Sequence, residues 1–444
     1  MKKFIETLKN IWKIEDLRER ILYTLGILLI YRLGTHVVLP GIDPSQLDQL
    51  KQQTSEGVLG LLDMFSGGAF SNASVFALGI MPYISASIVV QLLGIAVPYF
   101  QRLQREGESG RRKINQITRY LTIIILVLQA PAYLANLHAQ LPATAFVLKG
   151  TFFTISSVII LTSGTAFVMW LGERITDKGI GNGISLIIMI GIIARLPYAL
   201  FGEFISRLEE QGGGLVAFLV EIVLLFFVFV ATIMLVQGTR KIPVQYAKRV
   251  VGNKQYGGVR QYIPLKVNAA GVMPIIFAQA LMFLPLTVAG FADSESLSGF
   301  AATFSNYRGF WYNFTFFVMI IAFTYFYTAI VINPTPIEKK IKKNSGFIPG
   351  VKPGKKTVEF LDSIMSRITL PGSIFLGIIA ILPAFAMIAG VNAQWAQFYG
   401  GTSLLILVGV ILDTLQQIES HLLMRHYDGL MKSGRIKGKG GGMI

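Results

Sequence analysis

Few residues in this chain could do covalent chemistry, and their spacing excludes most of what they could do. His36, His138, His421 and His426 are the only imidazoles. The last two stand five apart, off a common helical face, and no His-Glu-x-x-His pair occurs, so the pattern of a zinc hydrolase is missing. There is no cysteine, which removes disulfides and thiolate metal sites. An intramembrane aspartyl site needs two Asp deep in apolar segments, and Asp413 stands alone in one. No Gly-x-x-x-x-Gly-Lys phosphate loop is present, so energy for any transport must come from a partner or from the membrane potential. An ion-coupled carrier would need ionisable groups at mid-membrane, where each costs about 2.5–3.5 kcal/mol on insertion scales. Glu221 near the start of one apolar run and Glu173 at a boundary read as helix-end polarity, and one unpartnered Asp413 is thin support for a relay. The expectation is a chain without catalytic residue, metal or cofactor, whose apolar interior suits a pore that closes by being dry.

The elements that would position such an interior are legible from hydropathy. With 444 residues, 53% hydrophobic and 14% charged, the chain has the composition of a multi-span membrane protein. About 20 apolar residues cross a bilayer core as a helix. Runs of that kind fall near Ile21–Leu39, Ala73–Phe100, Ile117–Leu137, Phe152–Leu171, Ile184–Phe201, Leu215–Val236, Ala269–Phe291, Tyr312–Ile332, Leu370–Gly390 and Thr402–Leu423. Between them, 34 of the 40 Lys and Arg lie on one side; the other six are Arg32, Lys51, Lys149, Arg195, Arg207 and Arg308. The positive-inside rule then places both termini in the cytoplasm, which an even number of spans satisfies. The Gly-rich break at Gln211–Gly214 leaves five runs on each side, suggesting halves at 21–210 and 211–425. Residues 1–20, with Phe4, Ile5, Leu8, Ile11 and Trp12 at helical spacing, read as an amphipathic helix on the membrane surface and lack the apolar run of a cleavable signal. The tail 426–444 is Gly- and Lys-rich, expected to be disordered from Ser433 to Met443.

Three features exceed what topology needs. The segment 57–70, which includes Leu61, Leu62, Asp63, Met64 and Phe65, is too short to span and ends in Gly67 and Gly68, which permit a sharp hinge. Such a half-helix is either a movable plug buried in protein or an ordinary re-entrant or surface helix. Ile80 and Ile84 share a helical face, as do Ile184 and Ile188; a ring of stiff β-branched side chains would make a poorly wetted constriction, although the same spacing also serves core or lipid packing. The loops 237–267 and 333–368 carry more basic charge than orientation requires, including Lys339, Lys340, Lys342 and Lys343, and read as docking surfaces for an acidic partner, nucleic acid or protein.

The strings FSGGAFSNASVFALGIMPYISASIVVQLL, ERITDKGIGNGISL, IPLKVNAAGVMPIIFAQ, FTYFYTAIVINPTPIEKKIKKNSGFIPGVKPGKKT and FYGGTSLLILVGVILDT strongly resemble the SecY family of protein-conducting channels, from the first run to about Lys437. The resemblance implies an all-α membrane protein: ten transmembrane helices in two pseudo-symmetric five-helix halves around an hourglass pore, with a short plug helix. It implies a pore ring of Ile80, Ile84, Ile184, Ile188, Ile276 and Ile406, and a plug containing Leu61, Leu62, Met64, Phe65, Gly67 and Gly68. A lateral gate would open between the second and third spans and the seventh and eighth, with Ser85, Ser87, Gln91 and Gln279 near the seam. The two basic loops would dock the SecA motor ATPase or the ribosome, through Arg240, Lys241, Lys248, Arg249, Lys254, Lys352, Lys355 and Lys356. SecE and SecG subunits, a signal-sequence-bearing polypeptide substrate, a phospholipid bilayer and a bacterial plasma (inner) membrane location are implied likewise. One motif departs: Gly350-Val351-Lys352-Pro353-Gly354 has Lys where the family usually has Arg, keeping the charge without the planar fork. The rival from another class is a ten-span secondary transporter of small solutes; a second is a nucleic-acid-binding membrane protein.

Overall fold

The computed structural model describes residues 12, 14–47, 50, 60, 63–148, 150–209, 214–246, 249–251, 254–256, 260–289, 308–331 and 333–432. The expected surface helix, apart from Trp12 and residues 14–20, and the tail from Ser433 lie outside these residues.

Each of the ten apolar runs falls on a helix: α1 (Glu15–Gly34), α2 (Met81–Ala96), followed by the short α3 (Pro98–Arg105), α4 (Glu108–Gln140), α5 (Thr151–Lys178), α6 (Gly183–Glu209), α7 (Gly214–Gln237), α8 (Met273–Ala289), α9 (Phe310–Val331), then the short α10 (Pro334–Lys343), α11 (Lys355–Ile388), the single-turn α12 (Ala393–Ala396) and α13 (Gly401–Lys432). Among the described residues seven helices are long and apolar enough to cross a membrane, eight if the bent pair α2–α3 counts as one. α1 opens on Glu15, Asp16, Arg18, Glu19 and Arg20, which dilutes its apolar length, and α8 has 17 residues.

The second run departs from its expected bounds. Residues 66–80 form turns, and helix starts only at Met81, where Pro82 in the first turn needs no N–H partner and has its φ already set. The helix stops at Val97, extended at φ −111° and ψ 121° as the residue before Pro98 must be. The chain there turns by 98° into α3.

The fold is that of an all-α membrane protein, and the first basic loop adds a small sheet to it. Residues 239–246 and 260–266 are strands β1 (Thr239–Tyr246) and β4 (Arg260–Lys266), antiparallel in the register Thr239↔Lys266 to Gln245↔Arg260. Between them β2 (Arg249–Val251) pairs β3 (Lys254–Tyr256). The second basic loop supplies β5 (Gly346–Phe347), which pairs Gln245 and Tyr246 on the other edge of β1. Pro243, which cannot donate to a ladder, lies on β1 beyond the reach of β5, where that edge has no partner strand among the described residues. The remainder of the second loop is α10 and, from Lys355, the first turns of α11.

The chain packs as two compact units, Met1–Pro197 with Val410–Ile444, and Tyr198–Gly409. In the first, a core of Leu39, Ile42, Phe70, Tyr133, Leu134, Leu137, Phe146, Phe153 and Leu161 joins α4 and α5 to the segment between α1 and α2 and to their own connection. In the second, Ile275 and Met282 of α8, Phe316 and Ile320 of α9, Leu376 and Ile379 of α11, and Leu404 and Leu405 of α13 are buried together. A separate small core in that unit holds Ile242, Val244, Leu265, Ile341, Ile348, Leu361 and Met365.

Candidate functional site

Residues 63–71 are wholly buried and fastened by backbone and side-chain bonds that all end in the first unit. The segment folds on itself: Gly68 N–H donates to Asp63 O at 2.8 Å, Phe70 N–H to Ser66 Oγ at 3.1 Å, and Ser71 N–H to Asp63 Oδ1 at 2.8 Å. Gly67 and Gly68 carry φ of +67° and +90°, left-handed backbone that a side chain would strain. A Cβ on Gly67 would also lie 2.9 Å from the Gly191 Cα of α6, and one on Gly68 3.1 Å from an Arg195 nitrogen. The expected hinge residues therefore serve a close approach.

Among the described residues, four side chains hold the segment from outside. Tyr31 of α1 donates to Ser66 O at 3.1 Å, and Tyr133 of α4 donates to Phe70 O at 2.9 Å. Arg32 of α1 donates to Gly67 O. Arg195 of α6 forms an ion pair with Asp63 and donates to Ser71 Oγ at 3.0 Å. Asp63 is 2% exposed, and a carboxylate so buried is tolerable only when paired and hydrogen-bonded. Met64 and Phe65 are buried with it, while Leu61 and Leu62 lie outside the described residues.

Ile80 is the N-cap of α2 and fully buried, and its carbonyl accepts from Ile84 N–H at 3.1 Å, so the two stack one turn apart. Gly79, immediately before, packs against Ser66, with 3.3 Å between its would-be Cβ and the Ser66 Cβ. Ile184 is half-buried and Ile188 buried in the first two turns of α6. That helix start is tightly set. Gly183 has no room for a side chain, its would-be Cβ falling on Gly172 O at 1.9 Å. The preceding turn is fixed by bonds from Ile180 N–H to Thr24 Oγ1, Gly181 N–H to Gln417 Oε1 and Gly183 N–H to Thr176 Oγ1, at 3.1, 2.9 and 2.9 Å. In the second unit Ile276 is half-buried on α8 and Ile406 buried on α13.

Of the residues assigned to the gate, Gln91 Nε2 donates to Ser87 Oγ at 3.3 Å within α2, and Ser85 is half-buried. Gln279 is buried on α8, where its Oε1 accepts from Thr402 of α13 at 2.7 Å.

The reading of Glu221 and Glu173 as bland helix-end polarity is incomplete. Glu173 of α5 takes both forks of Arg119 of α4, at 2.8 and 2.6 Å. Glu221 of α7 pairs with Arg207 of α6, which also binds Glu203 one turn back at 2.8 Å and Gly390 O at 2.9 Å; Glu203 in turn accepts from Asn392 N–H at 2.9 Å. The interior is thus not uniformly apolar. Asp413 is exposed.

The basic loops converge on the small core named above. β1 alternates, with Ile242 and Val244 turned inward and Arg240, Lys241 and Pro243 exposed. α10 turns Ile341 inward and leaves Lys339, Lys340, Lys342 and Lys343 exposed. Lys352, Lys355 and Lys356 are exposed beside them, with Thr357 Oγ1 donating to Lys352 O at 3.0 Å. Lys248 lies outside the described residues, as do the side chains of Arg249 and Lys254.

The family profile described as SecY matches residues 74–415. This chain belongs to the SecY family. Among its relatives, a protein translocase subunit SecY of Streptomyces scabiei is 44% identical over 437 residues, covering 95% of this chain and 98% of that protein. One of Mycobacterium bovis is 42% identical over 452 residues, covering 97% and 99%. The fold matches a structure described as a protein conducting channel, with TM-score 0.60 and 19% identity over 91% of this chain and 92% of that one. It also matches Sec61 in a canine ribosome-channel complex from the endoplasmic reticulum, with TM-score 0.55 and 18% identity over 91% and 92%. A SecY structure whose plug domain is described as stabilizing the closed state of the translocation channel aligns with TM-score 0.62 and 18% identity, again over 91% and 92%.

Within this SecY-family chain, the features that hydropathy did not disclose are the ion pairs and the sheet. Alternation of apolar and polar residues in Thr239–Tyr246 was the available signal for β1. No local signal exists for Asp63 with Arg195, which are 132 residues apart.

Proposed function

We propose that this multi-pass membrane protein is the channel subunit of a general secretory translocon, passing unfolded secretory polypeptides across the membrane and releasing transmembrane segments sideways into lipid. The observation that carries the reading is membership of the SecY family along nearly the whole chain. It is a channel subunit and not an enzyme. The transporter alternative has no support among the relatives or the matching folds.

The collar of Ile80, Ile84, Ile184, Ile188, Ile276 and Ile406 is its gate, and the segment 57–70 its plug. Geometry within the first unit supports this pairing. The segment packs against Gly79, next to Ile80, and against Gly191, one turn beyond Ile188. By the charge bias that turn lies outward of the isoleucines, where a plug must sit. Closure then combines an apolar collar that water wets poorly with a seated lid. A hydrophobic signal segment favours the lipid-facing seam over water, and its binding there shifts the channel toward its open state; Ser85, Ser87, Gln91 and Gln279 line that seam.

The exposed cations on β1, α10 and α11 form a docking platform for the SecA motor ATPase or the ribosome. Lys355 and Lys356 sit in the first turn of α11, where the helix dipole disfavours positive charge; a binding role explains their placement where stability does not. The small subunits SecE and SecG complete the assembly in the bacterial plasma membrane, with both termini cytoplasmic and ten spans in two halves.

The chain contains no cysteine, so Ile84→Cys places a unique thiol at the collar. A stalled export substrate bearing a crosslinker should be trapped there in the energised membrane and released from it when export is allowed to finish. Labelling of that thiol by lipid-soluble reagents alone, with no substrate adduct, would remove the collar.

A further inference from the structure

Arg195 stands on the same stripe of α6 as the two collar isoleucines of that helix. Ile184, Ile188, Gly191 and Arg195 are spaced by four, three and four residues, which is one face of an α-helix. Along that face the helix presents two proposed collar side chains, the close contact with Gly67 and the partner of Asp63. Among the described residues, the partners that Arg195 has off its own helix, Asp63 and Ser71, belong to the short segment between α1 and α2.

We propose that the Asp63–Arg195 ion pair is a latch that makes widening of the collar and release of the plug a single event, a role that rests on the plug and collar reading given above. The carboxylate is 2% exposed and is also held by Ser71 N–H, so it cannot be left behind uncompensated when α6 moves away. A shift of α6 that draws Ile184 and Ile188 outward draws Arg195 with them. The pair must then part, or the plug must follow. Arg32, which donates to Gly67 O, is a second cation at the seat and positions the turn through a backbone carbonyl. In the closed state this polar pairing adds directionality that apolar packing of Met64 and Phe65 lacks, and it specifies one seating of the segment.

The test is ion conductance of resting channels in vesicles, with export of a substrate carrying a defective signal sequence as the second readout, at matched channel levels. Asp63→Asn and Arg195→Gln should each raise resting leak at least roughly tenfold and relax the signal requirement. The double variant should leak no more than either single one, because both remove the same contact. The exchanged pair, D63R with R195D, should recover most of the seal, and Arg195→Lys, which keeps the charge without the fork, should fall between. A variant lacking residues 57–70 separates this proposal from the one beneath it. If that deletion leaks and the single substitutions seal as the parent does, or if their effects simply add, the latch is wrong and the plug stands. If the deletion itself leaves the seal intact, the plug and the latch fall together.

Discussion

Helix α6 carries two arginines that end up against buried carboxylates, and the two arrangements differ in a way that fits different duties. Arg195 meets Asp63 and Ser71, both from one short segment, 63–71. Arg207 meets Glu203 on its own helix, Glu221 on α7 and the Gly390 carbonyl just past α11, and Glu203 carries the network on to Asn392. A charge whose partners lie on one short segment can be released by moving that segment. A charge shared among α6, α7 and the turn after α11 cannot be released without unpacking all of them. The lesson is that the number of independent elements meeting at a buried ion pair, more than its strength, separates a latch from a rivet.

Removing the rivet should have the largest effect on stability. Arg207→Leu leaves Glu203 and Glu221 buried without their cation and should cost about 3–5 kcal/mol, seen as a lowered thermal midpoint of the detergent-solubilised protein and loss of the mature channel from membranes. If Arg207→Leu instead left stability unchanged while raising leak, the contrast between the two arginines would collapse. Gly67→Ala should come next. The φ of +67° and the 2.9 Å approach to Gly191 predict about 1–3 kcal/mol of local strain, confined to the segment 63–71 and its contact with α6. Leak should rise with little change in the melting midpoint, which sharpens the distinction between seat and scaffold.

The smallest effect on stability belongs to a third use of positive charge. Lys352 is exposed, so Lys352→Ala should move stability by less than about 0.5 kcal/mol while slowing export by weakening partner docking; Lys352→Arg should restore or exceed the parent rate if the planar fork matters. Normal export by Lys352→Ala would show that this lysine is solvated surface and no part of the platform.

Some of this was legible beforehand and some was not. The apolar runs that became α4, α5, α7 and α9 could be read directly, because hydrophobic transfer acts residue by residue and leaves its mark in any window of 20. The start of α2 was misplaced by eight residues, since 73–80 is as apolar as a helix but is held as turns by the Val38↔Ser74 bridge and the seat around Ser66. The basic loops were recognised by charge, yet their joining in one sheet through β5 was not, because a two-residue strand pairing a segment about a hundred positions away carries no periodicity of its own.

What the order of amino acids determined by itself was the class of molecule and family membership, both of which depend on local hydropathy and long matched strings. Only the tertiary structure decided that Arg195 reaches Asp63, that Gly67 and Gly68 make room for α6, and that Ile242 and Ile341 share one small core beneath the lysines. Those outcomes depend on which distant elements pack together. Burial then sets the cost of every unpaired charge, and that cost is invisible until the fold has brought the partners within reach.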